Sequence, residues 1–159
     1  MGTSTGSNGT HEDSGFASRT ARLAKEGTVT SERKRILVVE DDDFTSFLIQ
    51  ELLDFHGYSV LRAADAVDAY RLANELRPDL ILMDIQLSDS SGLEATKWIR
   101  EVEALRNTPI VAVTAFAMRE DQRRIMESGC DAYIAKPFHT DYFLETISQL
   151  VGAEPQGEA

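Results

Sequence analysis

Two hydrophobic periodicities alternate along most of this chain. Five short runs are rich in apolar residues, as strands of a sheet covered on both faces are. Each run is followed by a longer stretch in which apolar residues recur every three or four positions, the period of an amphipathic helix. The pattern predicts strands at 35–40, 58–62, 79–84, 109–114 and 132–136, and helices at 42–56, 65–76, 92–103, 118–128 and 140–151.

Turn and cap residues support these boundaries. The first helix is marked by large apolar residues at the spacing of one helix face: Phe44, Phe47, Leu48, Leu52 and Phe55. It stops before Gly57, the residue type that most often follows a helix. The second helix has an acidic cap at Asp65 and is closed by Pro78, which cannot continue a helix.

Five strands, each followed by a helix, predict an α/β protein with a doubly wound, five-stranded parallel sheet. The crossover connections of such a sheet are right-handed, and helices cover both of its faces. Ligands of this fold class bind at the carboxyl ends of the strands. The strand ends are therefore where functional residues are expected.

The 159 residues correspond to one domain. We expect a folded domain at 34–151, a disordered or linker-like extension at 1–33 that is rich in Gly, Ser and Thr, and a short tail at 152–159. No stretch approaches the roughly 18 apolar residues that span a bilayer, and the polar N-terminus lacks the apolar core of a signal peptide. The single cysteine, Cys130, fits a reducing compartment, so we expect a cytoplasmic protein.

The distribution of charge along the chain is more informative than the overall composition. The chain is 42% apolar and 27% charged, as globular proteins are. Residues 1–35 carry a net charge of +2, whereas the remainder has 10 basic and 23 acidic residues, a net charge of −13. Such an acidic body repels nucleic acid and favours cations or basic partner surfaces. Solubility alone would also explain the acidity.

Reactive polar residues end four of the five predicted strands. They are Glu40, Asp41, Asp42 and Asp43 at the first strand, Asp84 at the third, Thr114 at the fourth and Lys136 at the fifth. A parallel sheet brings these ends to one crevice, where clustered carboxylates attract a hard cation such as Mg²⁺. The cation, a lysine and a hydroxyl can hold phosphoryl oxygens while an aspartate attacks in line to form an acyl phosphate.

Each of these residues also has an ordinary structural explanation. Asp42 or Asp43 suits the N-cap of the following helix, and we expect at least one of them to have that role. An aspartate at a strand end is commonly a turn residue, Thr114 alone is commonly a capping hydroxyl, and Lys136 alone is commonly a solvated charge. Their combination on adjacent strand ends favours a functional site.

These residues lie in stretches that resemble the receiver domain of bacterial two-component response regulators. The matching stretches are ILVVEDD, LILMDIQLSDSSGLE, PIVAVTAFA and GCDAYIAKPF, in the family's order and over about residues 34–151. The spacings of 30 residues from Asp84 to Thr114 and 22 from Thr114 to Lys136 also agree with the family. Within this family, the sequence is most similar to that of single-domain regulators of the DivK kind. The resemblance implies a flavodoxin-like (βα)5 receiver fold.

The resemblance also assigns roles position by position. It makes Asp84 the phosphoacceptor, and Thr114 and Lys136 the phosphoryl-binding hydroxyl and ammonium. Metal ligands are implied at Asp41, at Asp84, at the backbone carbonyl of Gln86 and, through water, at Glu40. Mg²⁺ is the expected cation, with Mn²⁺ as an alternative. Because Asp42 and Asp43 extend the acidic run, the assignment of the metal acids stays open by one position.

The switch implied by the resemblance couples Thr114 to Tyr133. On phosphorylation, Thr114 moves towards the phosphoryl group, Tyr133 rotates inward, and the face of the fourth helix, fifth strand and fifth helix changes. Phe116, Met118 and Phe138 are further expected members of this face, although plain packing explains Phe116 and Met118 equally well. A cis peptide is implied between Lys136 and Pro137.

The expected partners are a sensor histidine kinase, a histidine phosphotransfer protein, or both, and a downstream protein target on the face that changes. We expect a signalling switch and not an enzyme with a separate substrate, either as a monomer or as a phosphorylation-dependent dimer. Whether it is an output regulator or a relay intermediate stays open.

Two other classes of function compete with this interpretation. Phosphatases of the haloacid dehalogenase type also use strand-end acids, but they need a second aspartate two residues after the nucleophile, where this chain has Gln86. A degenerate receiver would act only as an interaction scaffold. A DNA-binding regulator is disfavoured because only a short acidic tail follows the predicted domain, and an FMN protein because no phosphate-cradling loop follows the first strand.

Overall fold

The computed structural model describes residues 33–87, 91–115 and 118–152. Every strand and helix in these ranges lies in the compact unit Lys34–Ala159. The strands are β1 (Arg35–Val39), β2 (Ser59–Ala63), β3 (Leu80–Asp84), β4 (Ile110–Thr114) and β5 (Ala132–Ala135). They pair in parallel in the order β2-β1-β3-β4-β5, which confirms the predicted sheet.

A helix follows each strand. The helices are α1 (Asp43–Phe55), α2 (Ala66–Leu76), α3 (Gly92–Arg100), α4 (Arg119–Glu127) and α5 (Thr140–Val151). The third helix is shorter than the predicted 92–103, because the backbone N–H groups of Glu101 and Val102 bond to carbonyls three residues back, at 3.1 and 3.0 Å. This tightening ends α3, and a 3₁₀ turn follows at Glu103–Leu105.

Alternation along the strands divides the core into two layers. In β1, Leu37 and Val39 pack on one side of the sheet with alanines of α2 and α3 and with Ile125 of α4. Ile36 and Val38 pack on the other side with side chains of α1 and α5. Because successive strand residues point to opposite faces, one short apolar strand supplies both layers. Helices on both faces make the sheet doubly wound, as predicted.

Helix α1 is present as predicted, but of its predicted apolar stripe only Leu52 packs against the core. The residues that α1 buries are Ser46, Ile49 and Leu53. Phe44 and Phe55, whose spacing helped to predict the helix, are exposed. A helix turns by about 100° per residue, so these phenylalanines lie on the side opposite to Ile49 and Leu53. Helix α1 therefore has two apolar faces, and only one of them packs on the sheet.

Several predictions fall outside the described residues. Apart from Arg33 and Gly152, these are the extension at 1–33 and the tail at 152–159, together with Phe116 of the predicted switch face. The division into these segments stays a prediction. In the described part of the chain, no helix is long and apolar enough to cross a membrane.

Candidate functional site

Three acidic residues meet where β1 and β3 end. Glu40 directly follows β1, and Asp84 is the last residue of β3, the strand that pairs with β1. The backbone N–H of Glu40 extends the pairing with β2 by donating to the Ala63 carbonyl at 3.0 Å. Glu40 and Asp84 are buried and Asp41 is half-buried. One carboxylate oxygen of each lies within 4.8 Å of the others.

The next two acids of the run have other partners. Asp42 is the N-cap of α1, where its side chain accepts hydrogen bonds from the Thr45 backbone N–H at 2.9 Å and the Thr45 hydroxyl at 2.6 Å. These bonds lower the pKa of the Asp42 carboxyl, the hydroxyl contributing most. Asp43 forms an ion pair with Arg62. The acids of the cluster are thus Glu40, Asp41 and Asp84, and the expected N-cap is confirmed at Asp42.

Lys136 reaches the same cluster from the end of β5, the edge strand beside β4. It directly follows β5, and its backbone N–H donates to the Thr114 carbonyl at 2.8 Å. Its Nζ lies 3.1 Å from Glu40 Oε1 and 3.6 Å from Asp84 Oδ2. The peptide between Lys136 and Pro137 is cis, as the resemblance implies.

Within the cluster, the charge of Glu40 is disfavoured mainly by burial. Burial raises the pKa of the Glu40 carboxyl, and the nearby Asp84 charge raises it further. Lys136 and the Asp42 backbone N–H, which donates to Glu40 Oε2 at 3.2 Å, act in the opposite direction without cancelling the effect of burial. A cluster of carboxylates in this condition gains from a bound cation.

The donor set fits Mg²⁺. Three carboxylates within reach of one another are hard oxygen ligands of the kind that Mg²⁺ prefers. Gln86, two residues after Asp84, lies in the adjoining loop, where its backbone N–H donates to Asp84 Oδ1 at 3.0 Å. It therefore orients the carboxylate directly.

Thr114 and Tyr133 occupy the neighbouring strands. Thr114 ends β4, fully buried, in register with Ala135 of β5. Tyr133 lies in β5 opposite Ala112 and packs, partly buried, against the core layer shared with α2 and α3. Thr114 thus shares the strand-end edge with the acids, whereas Tyr133 lies further back along the sheet.

The sequence analysis missed two residues with structural roles, Gly92 next to Asp84 and Arg100 on the segments before β4 and β5. Gly92 begins α3, and a Cβ added there would overlap the backbone carbonyl oxygen of Asp84. The Ser91 side chain caps the same helix by accepting from the Leu93 N–H at 3.0 Å. The dipeptide Ser-Gly before a helical stretch is the sequence signal that could have identified this close approach. The other missed residue is Arg100, whose side chain donates to the carbonyl of Gly129 at 2.9 Å. No sequence pattern predicts this contact.

A family model described as the response regulator receiver domain matches residues 36–148. The chain belongs to this family. Receiver domains are signalling switches that take phosphoryl groups from histidine kinases or phosphotransfer proteins.

The curated relatives include DivK proteins. Over 119 residues, or 75% of this chain, the receiver is 47% identical to the polar-differentiation response regulator DivK of Brucella anthropi, of which the match covers 97%. The same values hold for the DivK of Brucella abortus strain 2308. The resemblance to DivK-like regulators is confirmed.

Solved receiver structures have the same fold. The receiver domain of the sensor histidine kinase PA1611 from Pseudomonas aeruginosa PAO1 is 36% identical, with a TM-score of 0.72 over 76% of this chain and 99% of that one. That crystal structure has a magnesium ion coordinated in its active site cleft. The chemotaxis protein CheY4 of Vibrio cholerae is 26% identical, with a TM-score of 0.72 over 75% and 99% of the two chains. The flavodoxin-like receiver fold is confirmed.

Proposed function

We propose that this receiver takes a phosphoryl group onto Asp84 from the phosphohistidine of a sensor kinase or a phosphotransfer protein. The observation that carries the proposal is the convergence of Asp84 with Glu40, Asp41 and Lys136 at one edge of the sheet. The acceptor carboxylate is buried among these charges but lies in the crevice where ligands of this fold class bind.

A divalent cation would be held by Asp41 and Asp84, by the Gln86 backbone carbonyl and, through water, by Glu40. Mg²⁺ fits this set, and Mn²⁺, which also prefers carboxylate and carbonyl oxygens, would be accepted too. When bound, the cation supplies neutralising charge for the phosphoryl oxygens.

The transfer forms one bond and breaks another. An Asp84 carboxylate oxygen attacks phosphorus, and the P–N bond to the donor imidazole breaks. The electron pair of that bond returns to the imidazole nitrogen, which takes up a proton from solvent. Lys136 leaves Glu40 to pair with a phosphoryl oxygen, and the Thr114 hydroxyl donates to another. Positioning and charge neutralisation supply most of the catalysis in such a transfer.

The signal would pass through Thr114 and Tyr133 to the face formed by α4, β5 and α5. Support comes from the position of Tyr133, which lines a groove on this face with Arg119, Met126 and Tyr142. Phe138 stacks on the buried Phe143 of α5 at 4.5 Å between ring centroids, so it couples the turn after Lys136 to α5, one element of this face. Met118 is exposed beside α4. We place a downstream protein target on this face.

The proposal is tested by intact mass after incubation of the full chain with Mg²⁺ and acetyl phosphate. The unchanged protein is expected to gain one phosphoryl group, and Asp84→Asn or added EDTA is expected to prevent the gain. Asp43→Asn, which removes an exposed acid that pairs with Arg62, is the matched control and should label normally. Failure to label, with no binding of beryllofluoride either, would point to an interaction scaffold.

The choice of partner needs a second experiment. Transfer of labelled phosphoryl from Asp84 to a phosphotransfer protein would identify a relay intermediate, whereas labelled Asp84 that only hydrolyses would identify an output regulator. A phosphorylation-dependent change in sedimentation would identify the dimer. A cytoplasmic location stays a prediction.

A further inference from the structure

A small cavity lies between the loop that follows β3, the start of α3 and the first two turns of α4. Its volume is about 270 Å³, and it shares no lining residue with the groove beside Tyr133. Pockets for drug-sized ligands are larger, roughly 300–1,000 Å³, and one water molecule takes about 30 Å³ of liquid volume. The cavity therefore suits a molecule of about ten non-hydrogen atoms.

One wall of the cavity is apolar. It is formed by Ile85 and Ile125, which are buried, and by Leu93, which is half-buried. These aliphatic side chains offer a ligand no hydrogen bond, and they gain when an apolar group covers them. The part of a ligand that lies against this wall is therefore a hydrocarbon group.

Charged groups of opposite sign line the cavity from α4. Asp121 and Arg124 are three residues apart on this helix, yet they form no ion pair with each other in the described part of the chain. Asp121 accepts a hydrogen bond from the Met118 N–H at 3.2 Å, which engages one of its two oxygens. The carboxylate and the guanidinium can each therefore bind a ligand group of the opposite charge.

This pair of charges matches the two charged groups of a free amino acid. A guanidinium binds a carboxylate through parallel N–H donors, and a carboxylate accepts hydrogen bonds from an ammonium. A ligand with a carboxylate alone would leave Asp121 facing a like charge, and an amine alone would do the same to Arg124. A zwitterion with an apolar side chain satisfies both charges and the apolar wall.

We propose that this cavity binds a free α-amino acid with an aliphatic side chain, of the size of leucine. Its carboxylate pairs with Arg124, its ammonium pairs with Asp121, and its side chain covers the apolar wall. Gln86 also lines the cavity, and its backbone N–H donates to Asp84 Oδ1 at 3.0 Å. A bound amino acid thus contacts the loop that orients the Asp84 carboxylate, which places it to regulate events at the strand ends.

Binding is tested by amide NMR of the isotope-labelled full chain, without a phosphodonor. L-leucine is expected to bind with a dissociation constant of about 1 mM or tighter and to shift the signals of Leu93 and Ile125. The amide signal of Tyr133 should stay in place. Isocaproate, which lacks the ammonium, and isoamylamine, which lacks the carboxylate, should each bind at least about fivefold more weakly.

Two variants of α4 locate the carboxylate contact. Arg124→Gln is expected to weaken the binding of L-leucine at least about fivefold, because the ligand carboxylate loses its partner. Arg123→Gln is the matched control, since it removes the same charge from a neighbouring residue that pairs with Glu120 and lines the other groove. The affinity of this control for L-leucine should be unchanged. Melting temperatures close to that of the unchanged protein verify the fold of both variants.

Three outcomes would overturn the inference. The first is the absence of any shift with L-leucine at about ten times the expected dissociation constant. The second is equal affinity for L-leucine and its two analogues, which would show apolar attraction without recognition of the zwitterion. The third is an equal loss of affinity in the Arg124 and Arg123 variants, which would show an effect of overall charge. Because no phosphodonor is present, none of these outcomes bears on the phosphorylation of Asp84.

Discussion

At the scale of single residues, Glu40 has a position that is unfavourable for its charge. Burial raises its pKa, so the folded protein holds the Glu40 proton more tightly than the unfolded chain does. The stability that the Glu40 carboxyl contributes to the fold is therefore fully present below the ordinary carboxyl pKa. It is lost as the pH rises through the raised pKa. Without metal, Glu40→Gln is expected to raise the melting temperature at pH 7 by a few degrees and to leave it unchanged near pH 4. Thermal unfolding in EDTA from pH 4 to 8 measures this.

Asp42 is the control for this prediction, because its pKa is shifted in the opposite direction. Its pKa is lowered by the bonds from Thr45, so its contribution is present above the ordinary carboxyl pKa and is lost as the pH falls through the lowered value. Asp42→Asn should therefore melt below the unchanged protein at pH 7, with the difference shrinking as the pH falls. A Glu40→Gln variant that is less stable than the unchanged protein at pH 7 would refute the argument from burial.

Gly92 is a second residue whose position allows little change. A side chain there would meet the Asp84 carbonyl and approach the Ile85 Cα to 3.0 Å, so α3 or the end of β3 must shift. We expect Gly92→Ala to cost about 1–3 kcal/mol in chemical denaturation and to slow phosphoryl uptake from acetyl phosphate.

Gly57 is the matched comparison for this variant. It has φ of +92° with no neighbour within 4 Å of an added Cβ, so Gly57→Ala should cost about 1 kcal/mol through backbone strain alone. Uptake should then be unchanged. Equal effects of the two variants on uptake would contradict a specific contact between Gly92 and the acceptor.

At the scale of elements, Arg100 connects α3 to the segments that precede β4 and β5. From α3 its guanidinium donates to the carbonyls of Leu105, Thr108 and Gly129 at 2.8–3.0 Å, and to Asp131 Oδ2 at 2.7 Å. Arg100→Met is expected to cost about 2–3 kcal/mol, since several partly buried acceptors lose their donors at once. Arg100→Lys should not restore the loss, because an ammonium lacks the planar fork of donors.

Chemical denaturation measures this prediction, and Arg71→Met is its control. Arg71 also pairs with two acids, Asp68 and Glu75, at 3.3 and 3.5 Å, but all three side chains are largely exposed. Exposed pairs of this kind are worth roughly 0–1 kcal/mol each. Similar losses for the two variants would contradict the role given to Arg100.

The sequence predicts elements and strand ends well because their signals are local. Glu40, Asp84 and Lys136 are brought together by the parallel sheet, so the site needs little beyond strand order to be predicted. Arg100 could not be found in this way, since most of its partners are backbone carbonyls, which any residue type provides. The face of α1 that packs on the sheet could not be predicted for another reason. Apolar residues lie on both faces of this helix, and hydrophobic periodicity does not distinguish the packed face from the exposed one.

At the scale of the whole molecule, an excess of negative charge opposes the compact state, and three of the acids meet at the site. Binding of a cation by Glu40, Asp41 and Asp84 should therefore stabilise the folded protein. At free Mg²⁺ about 10–30 times its dissociation constant, the free energy of unfolding should rise by about 1–2 kcal/mol. NaCl at matched ionic strength should give less, because it only screens exposed charges.

Two variants with the same change of net charge distinguish a site from a general effect. Asp41→Asn removes a carboxylate of the cluster, whereas Asp43→Asn removes one that pairs with Arg62. We expect the Mg²⁺-dependent rise in melting temperature to vanish in Asp41→Asn and to persist in Asp43→Asn. If both variants keep the rise, the cation acts on the charge of the whole molecule; if both lose it, the ligands lie further along the acidic run than Asp41.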